Sequence, residues 1–239
     1  MRARKTKIIA TVGPASLGNN VLKTIIREGA DIIRFNSAYG TKRQYKALTD
    51  EIKKENKRRK NKVLLLFDLK PGKWEIFEGM VIPDIVAVSF VETASQAIKT
   101  RKMFSEGTMI ISKIECKKGV KSFDKILDAS DGIMVGRGDL GESVSLEMLP
   151  CIQKMLTRKT IENGKFLVIA TEMLLSMVKS PTPTRAEVSD VGNAVFDGAS
   201  AVMLSEETAI GKYPIEAVRV MRSVVESSES CSFIGGENK

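Results

Sequence analysis

Three charged residues of the types that bind phosphate and metal ions stand in two short stretches of this chain. Residues 112–115 carry Lys113 and Glu115 two positions apart, so both side chains point to one face of a predicted strand. Residues 131–141 form a second predicted strand and a Gly-rich turn that carries Asp139 before a predicted helix. Two carboxylates and a lysine at neighbouring strand ends can hold one Mg²⁺ and one phosphorylated anion. Spacing alone leaves open a second interpretation, a buried Lys–Glu pair beside an ordinary turn aspartate.

The elements that must position these residues alternate between strand and helix along the chain. Short apolar runs, typical of strands covered on both faces, occupy residues 7–12, 31–35, 63–68, 84–90, 108–114, 131–135, 166–170 and 200–204. Helical patterns lie between most of them, at residues 21–28, 44–57, 94–103, 120–128, 149–163, 185–196 and 215–225. Eight such units favour an α/β fold of the (β/α)₈ TIM barrel type over an open doubly wound sheet, which usually has fewer strands.

One crossover of the predicted barrel is abnormally short. Only residues 69–83 separate the third strand from the fourth, and Trp74, Phe77 and Met80 within them can form one apolar stripe of a two-turn helix. We expect Trp74 to pack against the outer barrel wall there. We predict one barrel domain over residues 1–226, followed by a flexible Ser- and Gly-rich tail over residues 227–239.

The carboxyl ends of the predicted strands carry unusually many polar side chains. In a (β/α)₈ barrel the chemistry lies at these ends. In chain order they hold Arg34, Asn36, Asp68, Lys70, Ser89, Lys113, Glu115, Gly138, Asp139, Thr171, Glu172, Ser205 and Glu207. A barrel without a site would end its strands in Gly, Asn and Ser turns, so this convergence favours a functional site.

Composition excludes several other classes of function. The chain has no His and three Cys without a CxxC motif, which disfavours a zinc site, a Ser-His-Asp triad and a Cys-His pair. The net charge of +9 comes largely from basic runs, of which residues 53–62 are interpreted as a solvated helix end. Aromatic residues are scarce, so we expect no nucleic-acid partner. No apolar run reaches membrane-spanning length, and the cysteine pattern and lack of a signal peptide predict a reducing cytoplasm.

Several long motifs, in the right order, resemble those of the pyruvate kinase family. They are RKTKIIATVGPAS at 4–16, ISKIE at 111–115, ASDGIMVGRGDLG at 129–141, IATEML at 169–174, PTPTRAE at 181–187 with the helix up to residue 198, VMLSEET at 202–208 and GKYP at 211–214. The resemblance covers nearly the whole chain. It implies a cytoplasmic glycolytic transferase, a kinase that converts phosphoenolpyruvate and ADP to pyruvate and ATP.

The resemblance also implies roles for individual residues. Glu115 and Asp139 would hold magnesium, or Mn²⁺, which makes the protein metal-binding. Lys113 would stabilise charge on the phosphoryl group in flight, and Arg34 would contact the phosphate. These roles agree with the physics of phosphoryl transfer, which needs positioning and charge neutralisation more than covalent chemistry.

The substrate carboxylate has its own set of groups in the family. Backbone N–H groups around Gly138 and Asp139 and the hydroxyl of Thr171 would receive it, and a helix N-terminus suits such an anion. Thr171 would also lie in the path that delivers a proton to enolpyruvate.

The chain departs from the family pattern at the sites for potassium and nucleotide. Ala38 and Leu69 replace a serine and a threonine of the monovalent-cation cage, of which Asn36 and Asp68 remain, so we expect no K⁺ dependence. The family's lid domain after the third strand and its C-terminal domain are both missing from the pattern. Near the expected nucleotide site, Tyr39 replaces a histidine, and the position of an arginine falls at or near Glu75. Glu172 replaces a glutamine and Glu206 a glycine, and both add negative charge near an anionic substrate.

These departures leave alternatives open. A lidless barrel could carry out metal-dependent enolisation, decarboxylation or aldol-type chemistry on pyruvate or oxaloacetate. A non-catalytic paralogue that binds phosphoenolpyruvate is a third interpretation, and nucleic-acid binding through the basic runs is the least favoured. The expected ligands are phosphoenolpyruvate or pyruvate and, with weak binding, ADP or ATP. We expect no membrane partner, and formation of a homo-oligomer is left open.

Overall fold

Eight parallel strands form a closed barrel in the computed structural model, which describes residues 4–18, 20–70, 81–104 and 106–231. The strands are β1 Lys7–Thr11, β2 Ile32–Asn36, β3 Leu64–Leu69, β4 Ile85–Val88, β5 Met109–Ile114, β6 Gly132–Gly136, β7 Phe166–Ala170 and β8 Ala201–Leu204. Each strand pairs with the next in the chain, and β1 pairs with β8. The predicted (β/α)₈ barrel is therefore confirmed, and each strand begins and ends within two residues of its prediction.

The helices surround the barrel. They are α1 Val21–Glu28, α2 Lys42–Asn56, α3 Ala94–Arg101, α4 Lys117–Lys121, α5 Phe123–Ala129, α6 Arg137–Ser143, α7 Leu149–Glu162, α8 Arg185–Phe196, α9 Glu206–Ala209 and α10 Pro214–Ser230. None of those in the described ranges is long and apolar enough to cross a membrane.

Some helix boundaries differ from the sequence prediction. The single helix predicted at residues 120–128 is two short helices that meet at Ser122. Helix α10 continues past residue 226 because Ser228 still lies on its buried face, which packs against α8. The basic run at 53–62 begins in the last turn of α2, as predicted. The predicted packing of Trp74 lies outside the described residues.

The barrel interior has an apolar layer below and a polar layer above. The apolar layer consists of inward-facing residues from all eight strands: Ile9, Ile32, Leu66, Ile85, Ala87, Ile111, Met134, Val168, Ala170, Ala201 and Met203. Side chains two positions apart on a strand point the same way. One such step toward the carboxyl end leads to buried polar residues on five strands or just after them: Thr11, Arg34, Asp68, Ser89 and Lys113. Strand periodicity therefore places the predicted site residues inside the mouth of the barrel.

The opposite end of the barrel contains a repeated hydrogen-bond arrangement. A polar residue stands directly before each even-numbered strand. Its side-chain oxygen accepts a hydrogen bond from a backbone N–H of the preceding strand, that of the second residue. The four bonds run from Ile8 to Asp31 at 2.9 Å, Leu65 to Asp84 at 2.8 Å, Ile110 to Asp131 at 2.7 Å and Leu167 to Ser200 at 3.1 Å. This four-fold repeat of βαβα units was not visible in the sequence, because only one polar residue per unit carries it.

We expect Asp131→Ala to lower the free energy of unfolding by about 1–2 kcal/mol, because the Ile110 N–H loses a charged acceptor. Urea unfolding followed by circular dichroism measures the change. Asp128→Ala, which removes an exposed carboxylate from the last turn of α5, is the control and should cost nothing. Equal losses of stability in the two variants would contradict this role of Asp131.

Candidate active site

Asp68 is the centre of a buried ionic network at the mouth of the barrel. Arg34 donates from Nε and Nη2 to Asp68 Oδ2 at 2.9 and 2.6 Å. Lys113 Nζ lies 3.1 Å from Asp68 Oδ1 and 3.0 Å from Oδ2. Ser89 Oγ donates to Asp68 Oδ1 at 2.8 Å. One carboxylate, only 1% exposed, thus holds two cationic side chains that come from two other strands, β2 and β5.

The charges in this network stabilise one another. Burial alone would raise the pKa of Asp68, but Lys113 and Arg34 outweigh it and hold that pKa well below its usual range. Burial likewise acts to lower the pKa of Lys113, yet the charges of Asp68 and Glu115 raise it overall. Both effects favour a charged lysine beside a charged aspartate. The mouth of the barrel therefore holds two charged cations, Arg34 and Lys113, against the carboxylates of Asp68 and Glu115.

Glu115 lies next to this network and is held from two sides. Its Oε1 is 2.9 Å from Lys113 Nζ, and its Oε2 accepts the Phe90 N–H at 2.8 Å. Burial raises the pKa of Glu115 although Lys113 opposes the change. A Cβ atom at Gly136 would lie 2.8 Å from Glu115 Cγ, so only glycine leaves room for this carboxylate. Sequence reasoning did not single out Gly136, because the contact joins two different strands.

The two candidate metal carboxylates, Glu115 and Asp139, differ in burial. Glu115 is buried after β5, whereas Asp139 is exposed in the first turn of α6, three residues beyond Gly136. Among the described residues, no group of three or more His, Cys, Asp or Glu is arranged to hold a metal. Mg²⁺ usually takes only one or two protein carboxylates and completes its shell with water and phosphate. A set of only two carboxylates is a donor set typical of Mg²⁺ or Mn²⁺ and not of a closed structural site.

Thr171 lies at the end of β7 in a strained backbone conformation. Its φ is 67° and that of Glu172 is 54°, in the left-handed region that a β-branched residue rarely adopts. Each such residue costs about 1–3 kcal/mol and persists only where its surroundings enforce it. The hydroxyl accepts the Gly138 N–H at 2.8 Å and donates to Ala170 O at 2.6 Å. The structure thus brings together Gly138 and Thr171, which the sequence placed at two separate strand ends.

Two residues that sequence reasoning missed support these groups. Thr11 Oγ1 accepts from Arg34 Nη1 at 2.9 Å and donates to Leu204 O at 2.8 Å. Arg137 Nη2 donates to Thr171 O at 2.6 Å. Two signals in the sequence could have pointed to these residues. Thr11 follows Ile9 by two positions and so faces the barrel interior, and Arg137 directly precedes Gly138.

The remaining predicted site residues have other surroundings. Asn36 Oδ1 accepts the Ala38 N–H at 3.0 Å and so turns back on its own loop. Tyr39 is 88% exposed. Glu172 and Glu206 are exposed as well. Glu75 lies outside the described residues. The structure therefore does not join the four described residues of this set, Asn36, Tyr39, Glu172 and Glu206, to the buried network.

Glu207 is a buried carboxylate at the end of β8. It accepts the backbone N–H groups of Leu174 at 3.0 Å and Ser205 at 2.7 Å. Burial raises its pKa, although these hydrogen bonds oppose the shift. Its contacts give it a structural role, since it ties the loop after β7 to the end of β8.

Removing the central carboxylate should destabilise the fold. Asp68→Asn leaves Arg34 and Lys113 buried without their main counter-charge, so we expect a loss of about 3–5 kcal/mol at pH 7 in denaturant unfolding. Asp124→Asn breaks the exposed ion pair with Lys159 and should change stability by no more than about 0.5 kcal/mol.

The same variant should change the acid dependence of stability. The pKa of Asp68 is lower in the folded protein than in the unfolded chain, so its contribution is present above the unfolded value of about 4 and is lost as the pH falls toward the folded value. Asp68→Asn should therefore flatten the acid limb of a stability–pH curve. An unchanged limb would show that Asp68 does not carry this charge.

The described geometry can be compared with known proteins. The family model for the pyruvate kinase barrel domain matches residues 3–79 and 73–218. The pyruvate kinase of Chlamydia muridarum is 51% identical over 150 residues, which are 61% of this chain and 31% of that protein. That of Geobacillus stearothermophilus is 49% identical over 150 residues, or 61% of this chain and 26% of that protein.

A longer match extends over almost the entire chain. The pyruvate kinase of Staphylococcus saprophyticus is 30% identical over 336 residues, covering 95% of this chain and 57% of that protein. The chain thus spans less than two thirds of the length of each of these relatives. The match to the family model nevertheless includes every strand of the barrel and the residues of the buried network. This chain belongs to the pyruvate kinase family and contains that family's barrel domain.

Proposed function

We propose that this barrel transfers the phosphoryl group of phosphoenolpyruvate to ADP and so forms pyruvate and ATP. The observation that carries the proposal is the connected polar cluster at the barrel mouth. Arg34, Lys113 and Glu115 are linked through Asp68 and direct ion pairs, at the strand ends whose motifs match the family. This is the phosphoenolpyruvate half of the site, and each of its expected side chains is present.

The two cations supply the charge that phosphoryl transfer requires. The phosphoryl group in flight is negative, and its transfer depends on fixed positive groups more than on covalent chemistry. Asp68 holds Lys113 and Arg34 in place before substrate arrives. The raised pKa of Lys113 keeps its ammonium charged at neutral pH. Lys113 then stabilises the moving group, while Arg34 binds its oxygens.

Glu115 and Asp139 would hold the divalent cation. When bound, Mg²⁺ or Mn²⁺ supplies positive charge that neutralises substrate oxygens. Glu115 is already oriented by the Phe90 N–H and the Lys113 ammonium. The space left by Gly136 allows its carboxylate to stay in that position.

Thr171 and the start of α6 serve the carboxylate and the proton. We place the substrate carboxylate at the Gly138 and Asp139 N–H groups and the Thr171 hydroxyl. After phosphoryl transfer, enolpyruvate needs a proton at its methylene carbon to become pyruvate. The Thr171 hydroxyl lies in that delivery path, and its close contact with Gly138 supports a shared role.

Potassium has no evident place in this proposal. Ala38 and Leu69 offer no side-chain oxygen. Both oxygens of Asp68 already accept hydrogen bonds from protein groups, and the Asn36 oxygen accepts a backbone N–H. A protein cation, the Lys113 ammonium, occupies the carboxylate that a bound K⁺ would use.

We propose weak binding of ADP and slow turnover. Only residues 70–84 join β3 to β4, and the two parts of the family match meet within this crossover. The Staphylococcus relative aligns over more residues than this chain contains, which supports a missing inserted segment. Without a lid, the site excludes water poorly and lacks groups that would hold the nucleotide.

A second function is favoured by the same imbalance. A metal-dependent enolisation, decarboxylation or aldol reaction of pyruvate or oxaloacetate needs only the metal and anion groups, which are complete. It needs no nucleotide site. A phosphoenolpyruvate-binding protein without catalysis would use the same groups. A cytoplasmic location and a homo-oligomer are compatible with each of these functions.

The direct test is a coupled lactate-forming assay on the purified 239-residue chain. We expect pyruvate formation from phosphoenolpyruvate to require ADP and Mg²⁺, and to be the same in K⁺ and in tetramethylammonium. Lys113→Met should lower the rate by about 100-fold or more. Lys118→Met, at an exposed lysine on α4, is the control and should not lower it. Pyruvate formed without ADP, or strong stimulation by K⁺, would contradict the proposal.

A metal titration tests the two carboxylates. Glu115→Gln should weaken Mn²⁺ binding by about tenfold or more, because a neutral amide is a poor ligand for a hard cation. Glu92→Gln, at a half-buried carboxylate that pairs with Lys118 instead, should leave the affinity unchanged. Electron paramagnetic resonance of free Mn²⁺ measures both. Wild-type affinity in Glu115→Gln would remove Glu115 from the metal site.

Calorimetry separates the two halves of the site. With Mg²⁺ present, we expect ADP to bind at least about tenfold more weakly than oxalate, a gap of about 1.4 kcal/mol. The physical reason is that the oxalate groups are assembled whereas the nucleotide groups are missing. Tight ADP binding without oxalate binding would instead indicate a nucleotide-binding barrel that has lost the pyruvate chemistry.

A further inference from the structure

We propose that Arg137, held by Asp190, is a positioning residue that fixes the Thr171 hydroxyl against the Gly138 amide. Its effect on catalysis rests on the proposed function, in which Thr171 delivers a proton. We call the contacts of Arg137 with the Ala170 and Thr171 carbonyls the clamp. The clamp is a feature of the unliganded protein and can be measured without any reaction.

The Arg137 guanidinium is buried under the loop that follows β7. Its Nη2 donates to Thr171 O at 2.6 Å, and its Nε lies 3.2 Å from both Ala170 O and Thr171 O. Nη2 is also 2.9 Å from Met173 Sδ. The residue is 9% exposed. A planar group with five donors is thus directed at two consecutive backbone carbonyls.

These two carbonyls are the ones that set the conformation of Thr171. Ala170 O belongs to the peptide plane that comes directly before the φ torsion of Thr171. The direction of Thr171 O is set by the ψ torsion of the same residue. Holding both carbonyls therefore holds both torsions. Thr171 needs such support, because its φ of 67° is unfavourable for a β-branched side chain.

The hydroxyl direction follows from the backbone. Thr171 Oγ1 accepts the Gly138 N–H at 2.8 Å and donates to Ala170 O at 2.6 Å. Arg137 directly precedes Gly138, so two adjacent residues contact the same loop, one through its side chain and one through its amide. A loosened Arg137 should therefore release the Thr171 hydroxyl as well.

Asp190 fixes the arginine from the far side. Its Oδ2 is 2.5 Å from Arg137 Nη1. Asp190 belongs to α8, which is itself tied to the loop after β7, because Glu187 accepts both the N–H and the Oγ–H of Ser176 at 2.7 and 2.6 Å. Helix α8 thus anchors both the arginine and the loop on which it acts.

The chain provides a matched control for a purely structural arginine. Arg4 Nη2 donates to Gly29 O at 2.7 Å and to Asp31 Oδ2 at 2.9 Å. It makes the same kind of contact, a carbonyl and an aspartate, at the opposite end of the barrel. Arg4→Met should reduce stability without affecting Thr171.

The first measurement is hydrogen exchange of the Gly138 amide by NMR in the full chain. We expect Arg137→Met to accelerate it by about tenfold or more. Asp190→Asn, which keeps the arginine, should accelerate it less and remains informative if Arg137→Met fails to fold. Arg137→Lys should restore only part of the protection, because an ammonium cannot hold two carbonyls as the planar fork does. Unchanged exchange in Arg137→Met and Asp190→Asn, or equal acceleration in Arg4→Met, would overturn the clamp.

The second measurement isolates the proton step. Run backwards with Mg²⁺ in D₂O, this step removes a proton from the pyruvate methyl group and returns a deuteron to the same carbon, which ¹H NMR detects. We expect Arg137→Met to slow this exchange by about tenfold or more, and Arg4→Met not to slow it. Faster Gly138 exchange with wild-type methyl exchange would overturn the catalytic role. Absence of methyl exchange in the wild-type protein would contradict the proposed function. The exchange rate of the Gly138 amide would still show whether Arg137 holds the Thr171 loop.

Discussion

The site depends on one buried carboxylate, Asp68, between two cations. Arg34 comes from β2, which adjoins the Asp68 strand β3, and Lys113 comes from β5, one strand beyond β4. Neither would remain buried and charged at the barrel mouth without a counter-charge. A buried ion pair contributes little net stability, yet breaking one is costly. The network is therefore better understood as a device that fixes two positive charges at known positions than as a source of stability.

The barrel makes this arrangement possible through the period of its strands. Inward-facing positions alternate along each strand, so an apolar layer and a polar layer follow one another at a spacing of two residues. Ile32 and Arg34, or Ile111 and Lys113, are such pairs. The lower layer closes the core, and the upper layer places charged groups from several strands within hydrogen-bond distance. The candidate site residues are thus carried by the same strands that stabilise the fold.

The two halves of the proposed site differ in which parts of the chain supply their residues. The half that would bind phosphoenolpyruvate consists of residues on the strand ends or just after them. The half that would bind nucleotide relies in the family on an inserted domain, for which this chain has only the short β3–β4 crossover. Asp68, which remains from the expected monovalent-cation cage, contacts the Lys113 ammonium. Phosphotransfer with a reduced nucleotide site and enolisation chemistry both remain consistent with this division.

The sequence by itself determined the barrel, its strand limits within two residues and the charged residues at its mouth. Hydrophobic periodicity is a local property, and the motifs are continuous, so both can be detected without coordinates. Only the tertiary structure decided which groups meet. The pairing of Arg34 and Lys113 on one carboxylate, the space that Gly136 leaves for Glu115, and the contact of Arg137 with Thr171 all join separate strands. Such contacts depend on strand register and backbone torsion, which closure of the barrel sets and which no local pattern of residues encodes.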